Sequence, residues 1–415
     1  MTVGVRHDDL RRRNRAMVLS ALRTAGQPSR TGIASRTGLS NSTISAIASN
    51  LIDEGVLLEV KGADNGAARR GRPQVALGMN PDLASVVAVV LTLNHLSATV
   101  IDYAGNTVDE EFERLATEAL DREALIAAVI GCVRRVVERQ RGEGRRPSRI
   151  ALAVQGITSS DSSSMLWSPI TPQQNTPFAP ALAAAFGIPA TVENDCNMIA
   201  VALKWREPGR YRDDFFAVML SDGIGMGLMI KGRLFSGTHS SGGEFGHMIH
   251  IPDGALCRCG RRGCIEAYAG NYAVMRNATG GNEDDPPAAD FSQAEMQKLA
   301  DAARAADGPE RAAFVKAGRA IGFGLGSLFA LFDPAPVAIV GPGALAFDIL
   351  EAPIRDAISR TAGGQHSGAI SFAAQPDEMP LIRHGCAMTA LTTIDSELVA
   401  PGPITEQALK GRKVA

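Results

Sequence analysis

The sequence predicts an α/β protein: a two-lobed body preceded by a small helical head. Three observations carry this expectation. From residue 85 onward, apolar runs of strand length alternate with helical segments, the pattern of α/β architecture. Charge is divided along the chain: residues 1–80 hold 12 Lys+Arg against 6 Asp+Glu, the remainder 30 against 38. Three of the six cysteines, Cys257, Cys259 and Cys264, fall within eight residues. At 415 residues the chain is long enough for two or three domains.

The head comes first. Val18, Leu19 and Leu22 have helical spacing within Arg15 to Arg23, and Gly26-Gln27-Pro28 ends that helix. Ser29 or Thr31 would cap a second helix ending near Arg36 or Thr37. Thr37-Gly38-Leu39-Ser40 is a tight turn, after which Ser40 or Asn41 caps a third helix through Ile44, Ile47 and Leu51. This is the layout of a helix-turn-helix, whose second helix offers its N-terminal residues to base edges in the major groove. Those residues are Asn41, Ser42, Thr43 and Ser45. Val56 to Val60 and Gln74 to Leu77 then read as two short strands around a basic loop, a wing. Its Arg69, Arg70 and Arg72 would reach an adjacent minor groove or phosphates. A basic head on an acidic body suits a polyanion, and the helix-turn-helix and wing make double-stranded DNA the expected partner.

The body opens with Ser85 to Thr92, a nearly continuous apolar run expected of a buried strand. Ser97 to Asp102 is a second strand, turned at Tyr103 to Asn106. Glu123 to Gln140 has one apolar face and reads as a helix. Ile150 to Val154 is a strand, 176–186 a helix, and Pro189 to Glu193 a strand. Phe215 to Leu220 opens a second such series, which runs through a helix at 320–332 to a strand at 337–340. There is no apolar run of about 18 residues and no signal-like N-terminus, so the expected location is the cytoplasm, with no membrane span.

In that compartment clustered cysteines are metal ligands rather than disulfides. His247 with Cys257, Cys259 and Cys264 is the ligand set of a closed, structural zinc site. Such a site would pin the loop carrying Glu244 and Glu266, acids suited to accept hydroxyl donors. Cys132, Cys196 and Cys386 read as ordinary buried thiols. His239, His250 and His384 read as structural.

The segments Leu220-x-x-Gly223-Ile-Gly225-x-Gly227, Glu244-Phe-Gly-His247, Cys-x-Cys-Gly-x-x-Gly-Cys-x-Glu and Glu193-Asn-Asp-Cys-Asn197 resemble the signature motifs of the ROK family (repressors, open reading frames and kinases). The resemblance covers residues 80–400, and the head is similar to the winged helix of the family's sugar-repressor branch. It implies a two-lobed sugar kinase/actin-like fold. Residues 1–80 would form the DNA-binding domain, 81–195 with 385–415 the first lobe, and 196–384 the second lobe with the metal motif. It also implies sugar contacts from Asn194, Asp195, Glu244, His247 and Glu266. Asn194-Asp195 has the alternative reading of a turn and helix cap.

The phosphate side departs from the family's kinases. Where they carry an Asp-x-Gly-Gly-Thr turn, this chain has Leu91 to Ser97, without glycine or acid, and bulky Leu93 and Leu96 would impede phosphate approach. Asp222 puts a negative charge in the second phosphate loop. Pro342 replaces a glycine in the third. The expectation is a ligand-binding regulator, a homodimer or homotetramer on a DNA operator, responding to a sugar effector without ATP. The alternative is an ATP-dependent sugar kinase with a fused DNA-binding head.

Overall fold

The computed structural model describes residues 7–60, 75–238, 240, 242–287 and 291–400. The head comprises α1 (His7–Ala25), α2 (Arg30–Thr37), α3 (Asn41–Asp53) and the antiparallel pair β1 (Leu57–Val60) and β2 (Ala76–Met79). Ser29 caps α2 by accepting from the Gly32 amide, and Gly38, at φ 72°, ends it in the left-handed region. Ser40 caps α3, its hydroxyl 3.1 Å from the Thr43 amide. The wing residues Arg69, Arg70 and Arg72 lie outside the described residues.

The first lobe contains β3 (Ser85–Thr92), β4 (His95–Asp102), β5 (Thr107–Arg114), α4 (Arg122–Gly142) and β6 (Arg149–Val154). The ribbon β7 (Ile157–Thr158) and β8 (Met165–Trp167), then α5 (Phe178–Phe186) and β9 (Ala190–Asn194), follow, and α6 (Asp195–Arg206) leads on to the second lobe. The second lobe contains β10 (Phe215–Leu220), β11 (Ile224–Ile230), β12 (Arg233–Phe235), α7 (Glu266–Ala269), α8 (Asn271–Ala278) and α9 (Gln293–Ala305). It continues with α10 (Pro309–Phe332), β13 (Val337–Val340), α11 (Phe347–Ser359) and β14 (Phe372–Gln375), after which α12 (Met379–Val399) closes the described chain.

The two main sheets share one topology. Their strand orders are β5-β4-β3-β6-β9 and β12-β11-β10-β13-β14. In each, the first three strands form an antiparallel meander and the last two join in parallel. Helices α6 and α12 lie between the sheets: α12 packs on β3 and β6, α6 packs on β10 and β11, and the two pack on each other. Helix α12 is continuous from Met379, so the chain returns to the first lobe there, and a border at 385 would cut through a packed helix.

Three further differences from expectation have physical causes. Strand β5 was not expected, because Asp109, Glu110, Glu111 and Glu113 are poor strand formers. It is an edge strand whose acids are met by Arg135 and Arg139 of α4, with Arg139 Nε 2.9 Å from Asp109 and Arg135 Nε 2.8 Å from Glu111. Charges of this kind also blunt a sheet edge. Second, α10 is long and apolar, with an 18-residue window of mean hydropathy 1.3 that is 61% buried. It packs on α8, α9 and α11, which makes it the core helix of the second lobe. Third, the head is not a separate bead. Val18, Leu19, Leu22, Ile44 and Leu51 belong to one buried cluster with Leu83, Tyr103, Leu391 and Ile394 of the body.

Candidate functional site

Strand β9 ends at Asn194, and α6 begins at Asp195. The Asn194 side chain caps α6, its Oδ1 accepting from the Asn197 amide at 2.9 Å, while its Nδ2 donates to the Gly156 carbonyl at 2.9 Å. The cap reading of Asn194 is therefore realised, and both ends of its amide already have partners. Asp195 is only 1% exposed. Its Oδ1 accepts from the Cys196 amide at 2.8 Å and its Oδ2 has no partner. Burial pushes its carboxyl up to about 7, opposed by that amide bond and reinforced by Glu244 and Glu378.

From the second lobe, Glu244 precedes a single turn at Phe245–His247, which ends on His247. His247 Nε2 faces Glu244 at 3.8 Å. Burial raises the Glu244 carboxyl, with His247 pulling the other way. Glu266, first residue of α7, is 2% exposed. Its Oε2 accepts from the Ile224 amide at 3.0 Å, and its Oε1 lies 3.4 Å from both Cys257 Sγ and the Tyr272 hydroxyl. Glu266 thus braces the cysteine loop against the start of β11.

The cysteine loop has the geometry of a metal centre. His247 Nδ1 is 3.7 Å from Cys257 Sγ, and Cys259 Sγ is 3.8 Å from Cys264 Sγ. All four ligand atoms lie within 4.8 Å of one another. Hydrogen bonds among the three thiols push Cys259 below the usual cysteine range and Cys257 above it, so the cluster shares its protons in the absence of an ion. The cluster can hold a metal ion, with the other nitrogen of His247 left facing Glu244.

Asp195 and Glu244 feel one another across the lobes, and Glu244 in turn feels His247 and Glu266. Two neighbours arrive from the first lobe: Trp167, whose ring meets His247 edge-on at 5.9 Å, and Gln155. A Cβ at Gly223 would lie 2.9 Å from Gln155 Nε2, so the lobes approach closely there. Asn175, at φ 50°, serves as a turn residue. Sequence reasoning missed Glu378, which precedes α12, accepts from Ser221 Oγ at 3.0 Å, and is pushed up to about 7 by burial. Its only sequence signal is its place just before Met379-Pro380, a helix start.

The glycine-rich stretch proves to be packing as much as loop. Gly225 and Gly227 lie in β11, where a Cβ would meet Cys196 Sγ at 2.3 Å and Cys196 O at 2.2 Å. Their bareness lets α6 lie against the sheet. The expectation that Leu93 and Leu96 obstruct a phosphate is corrected. Thr92 pairs with His95 across a two-residue turn, with Asn94 at φ 59°. Both leucines are buried with Leu125 and Val129 of α4, away from the cleft. Asp222 does stand at the loop, accepting from the Phe291 amide at 3.3 Å and adding its charge to that felt by Glu378. Cys132, Cys196 and Cys386 are buried. His250 packs against Tyr268 and Phe323, and His384 is half-buried beside Arg206. His239 lies outside the described residues.

Comparison with known proteins gives a consistent set of relatives. The chain is 24% identical over 359 residues to the xylose repressor of Caldicellulosiruptor bescii, covering 85% of this chain and 89% of that one. It is 28% identical over 270 residues to the glucokinase of Streptomyces coelicolor, covering 62% of this chain and 84% of the relative. Its fold matches the crystal structure of a ROK family transcriptional regulator, a homologue of the E. coli MLC protein. The TM-score is 0.72 at 22% identity, over 94% of this chain and 99% of the other. The family model described as "ROK family" matches residues 93–378. The chain belongs to the ROK family.

Proposed function

We propose that this protein is a DNA-binding transcriptional regulator, a repressor, whose body binds a sugar and does not phosphorylate it. One observation carries the reading: the helical head is built into the same core as the two-lobed body. The match to the Caldicellulosiruptor bescii xylose repressor supports it, since it spans 85% of the chain and so runs beyond the family domain at 93–378. Asn41, Ser42 and Ser45 are exposed at the start of α3, in place to face base edges. Thr43 is half-buried, and its hydroxyl bonds that of Ser40 at 2.8 Å. Arg69, Arg70 and Arg72 would supply wing contacts to the operator, in the cytoplasm where the DNA lies.

In the body, Asp195, Glu244, His247 and Glu266 would hold the sugar, with Asn194 positioning Asp195. Zinc suits the cysteine loop. With Zn–S arms of about 2.3 Å, a tetrahedron has S···S edges of about 3.8 Å, close to the Cys259–Cys264 separation. The ion would be structural, fixing the ring of His247 so that Nε2 faces the cleft. ATP has no place in this reading, because Asp222 stands in the phosphate-side loop with a charge that Glu378 feels. Closing the cleft would act on the head through α12, which meets the cleft at Glu378 and α1 at Asp395. A ligand shifts such an equilibrium only by binding one state better. A homodimer or homotetramer would place two α3 helices on two half-sites.

The test combines three measurements on the full-length protein: operator binding with and without a sugar panel, turnover with ATP and magnesium, and metal content. The expected outcome is sugar-dependent DNA affinity, no turnover, and one zinc per chain that is lost in Cys259→Ser. Sugar phosphorylation would establish the kinase alternative instead.

A further inference from the structure

We infer that Arg23 fixes the angle at which the recognition helix α3 meets DNA, and with it the half-site spacing that two copies of this chain accept. The inference rests on the DNA-binding reading above and adds a specificity-determining residue to it.

The sequence supplies a strut. Helix α1 holds neither proline nor glycine in its 19 residues, so nothing in it invites a kink. It carries two arginine forks, Arg15 and Arg23, about 12 Å apart along its axis. Arg15 takes both oxygens of Glu54, with Nη1 2.7 Å from Oε1, and Glu54 is the residue that ends α3. Arg23 takes both oxygens of Asp395 on α12. One rod therefore joins the end of the recognition helix to the body.

The body end of the rod is built for direction. Val18, Leu19 and Leu22 share a buried cluster with Leu391 and Ile394, but apolar contact is non-directional and would let α1 turn or slide on α12. The bonds around Arg23 are directional and form a closed ring. Its fork holds Asp395, its Nη1 donates to the Tyr103 carbonyl at 3.0 Å, and the Tyr103 hydroxyl donates to Asp395 Oδ1 at 2.5 Å. The Arg23 side chain is only 3% exposed. Tyr103 follows β4 and Asp395 lies on α12, so the ring ties α1 to two separate parts of the body. Well-packed apolar residues often replace a buried ion pair with no loss of stability, so what this one contributes is a fixed geometry. One base pair inserted between half-sites turns the second by about 35°. Heads held at one angle do not follow that turn, whereas heads free to pivot on α12 do.

The probe is a duplex selected from a random-sequence pool on the full-length protein, then remade with one or two base pairs inserted between its half-sites. Two variants are compared with wild type. Arg23→Met with Tyr103→Phe and Asp395→Leu replaces the polar ring by apolar groups. Arg23→Lys keeps the charge and loses the fork. For wild type, one inserted base pair should weaken binding roughly tenfold or more, the scale of one wrong base pair. In both variants that penalty should shrink to about threefold or less, with affinity for a single half-site unchanged. A folded variant that discriminates spacing as sharply as wild type would overturn the inference. Loss of single half-site binding in Arg23→Lys would also overturn it, because the ring would then hold the head folded rather than aimed. If the triple variant does not fold, Arg23→Lys decides alone. A selected duplex with only one half-site overturns the inference and leaves the DNA reading intact. If no sequence is selected, the DNA reading falls, and this inference with it.

Discussion

Helix α12 carries two carboxylates in opposite settings. At about 1.5 Å per residue its 21 residues span about 30 Å. Near its C-terminus, Asp395 is gripped by Arg23 of α1 through Nε and through Nη2 at 2.7 Å, and receives the Tyr103 hydroxyl at 2.5 Å. The Arg23 guanidinium also donates to the Tyr103 carbonyl and sits 4.5 Å over the Tyr103 ring. Just before its N-terminus, Glu378 has a serine for partner and two acids for neighbours. One carboxylate is neutralised and joins head to body. The other is kept short of positive charge where the lobes meet. A buried charge with its partner is structure; a buried acid without one is available to a ligand.

The comparison predicts first that the paired end is the costlier to break. Arg23→Ala leaves Asp395 and Tyr103 buried beside an absent cation, and removing one partner of such a pair costs about 3–5 kcal/mol. The half-exposed Arg30–Glu59 pair in the same head should contribute about 0–1 kcal/mol. Denaturant unfolding of Arg23→Ala and Arg30→Ala measures both. If the two variants lose equal stability, the junction is not the anchor described above. A head that melts separately in Arg23→Ala, seen as a second transition, would show what the pair holds together.

At the other end the sign reverses. The carboxyls of Asp195 and Glu378 stand at about 7, against ordinary values of 3.8 and 4.5, chiefly because burial disfavours their charged forms. For a group whose folded value is raised, stability is full below the unfolded value and is lost as pH rises through the folded one. Wild-type stability should therefore fall between pH 4 and pH 8, the window set by these shifts. Asp195→Asn and Glu378→Gln should each be more stable than wild type at pH 8, by on the order of 1–3 kcal/mol, and should lose that advantage near pH 4. Melting curves across this range decide it. Variants less stable than wild type at pH 8 would mean these acids have partners that stabilise their charges.

What the sequence made legible divides along similar lines. Apolar runs such as Val86 to Leu91 and Phe215 to Leu220 announced the central strands, because burial on both faces leaves no ambiguity of period. The cysteine motif was legible because its ligands are close in sequence. Pairing across distance was not. Arg23 and Asp395 are 372 residues apart, and nothing local marks either. Strand β5 hid behind its acids, whose arginine partners lie on α4. Leu93 and Leu96 were misplaced because a run of residues does not show which face of a hairpin meets the core. Asn194 was legible only as a choice between two roles, and the backbone of α6 decided for the cap.

The smallest effect lies in the head, where the comparison can be drawn within one residue. Ser40 caps α3 through the Thr43 amide, and its hydroxyl also meets those of Ser42 and Thr43 at 2.9 and 2.8 Å. Ser40→Ala should cost about 1 kcal/mol of stability and leave sugar affinity unchanged, since the bonds of this cap stay within α3. Ser40→Asp separates two roles of the same position. Aspartate caps about as well as serine, so stability should return. Yet a carboxylate at the start of α3 would face DNA phosphates, so operator affinity should stay low and become less steeply dependent on salt. If Ser40→Asp regains stability and operator affinity together, the start of α3 is not at the DNA, and the recognition surface must be sought elsewhere on the head.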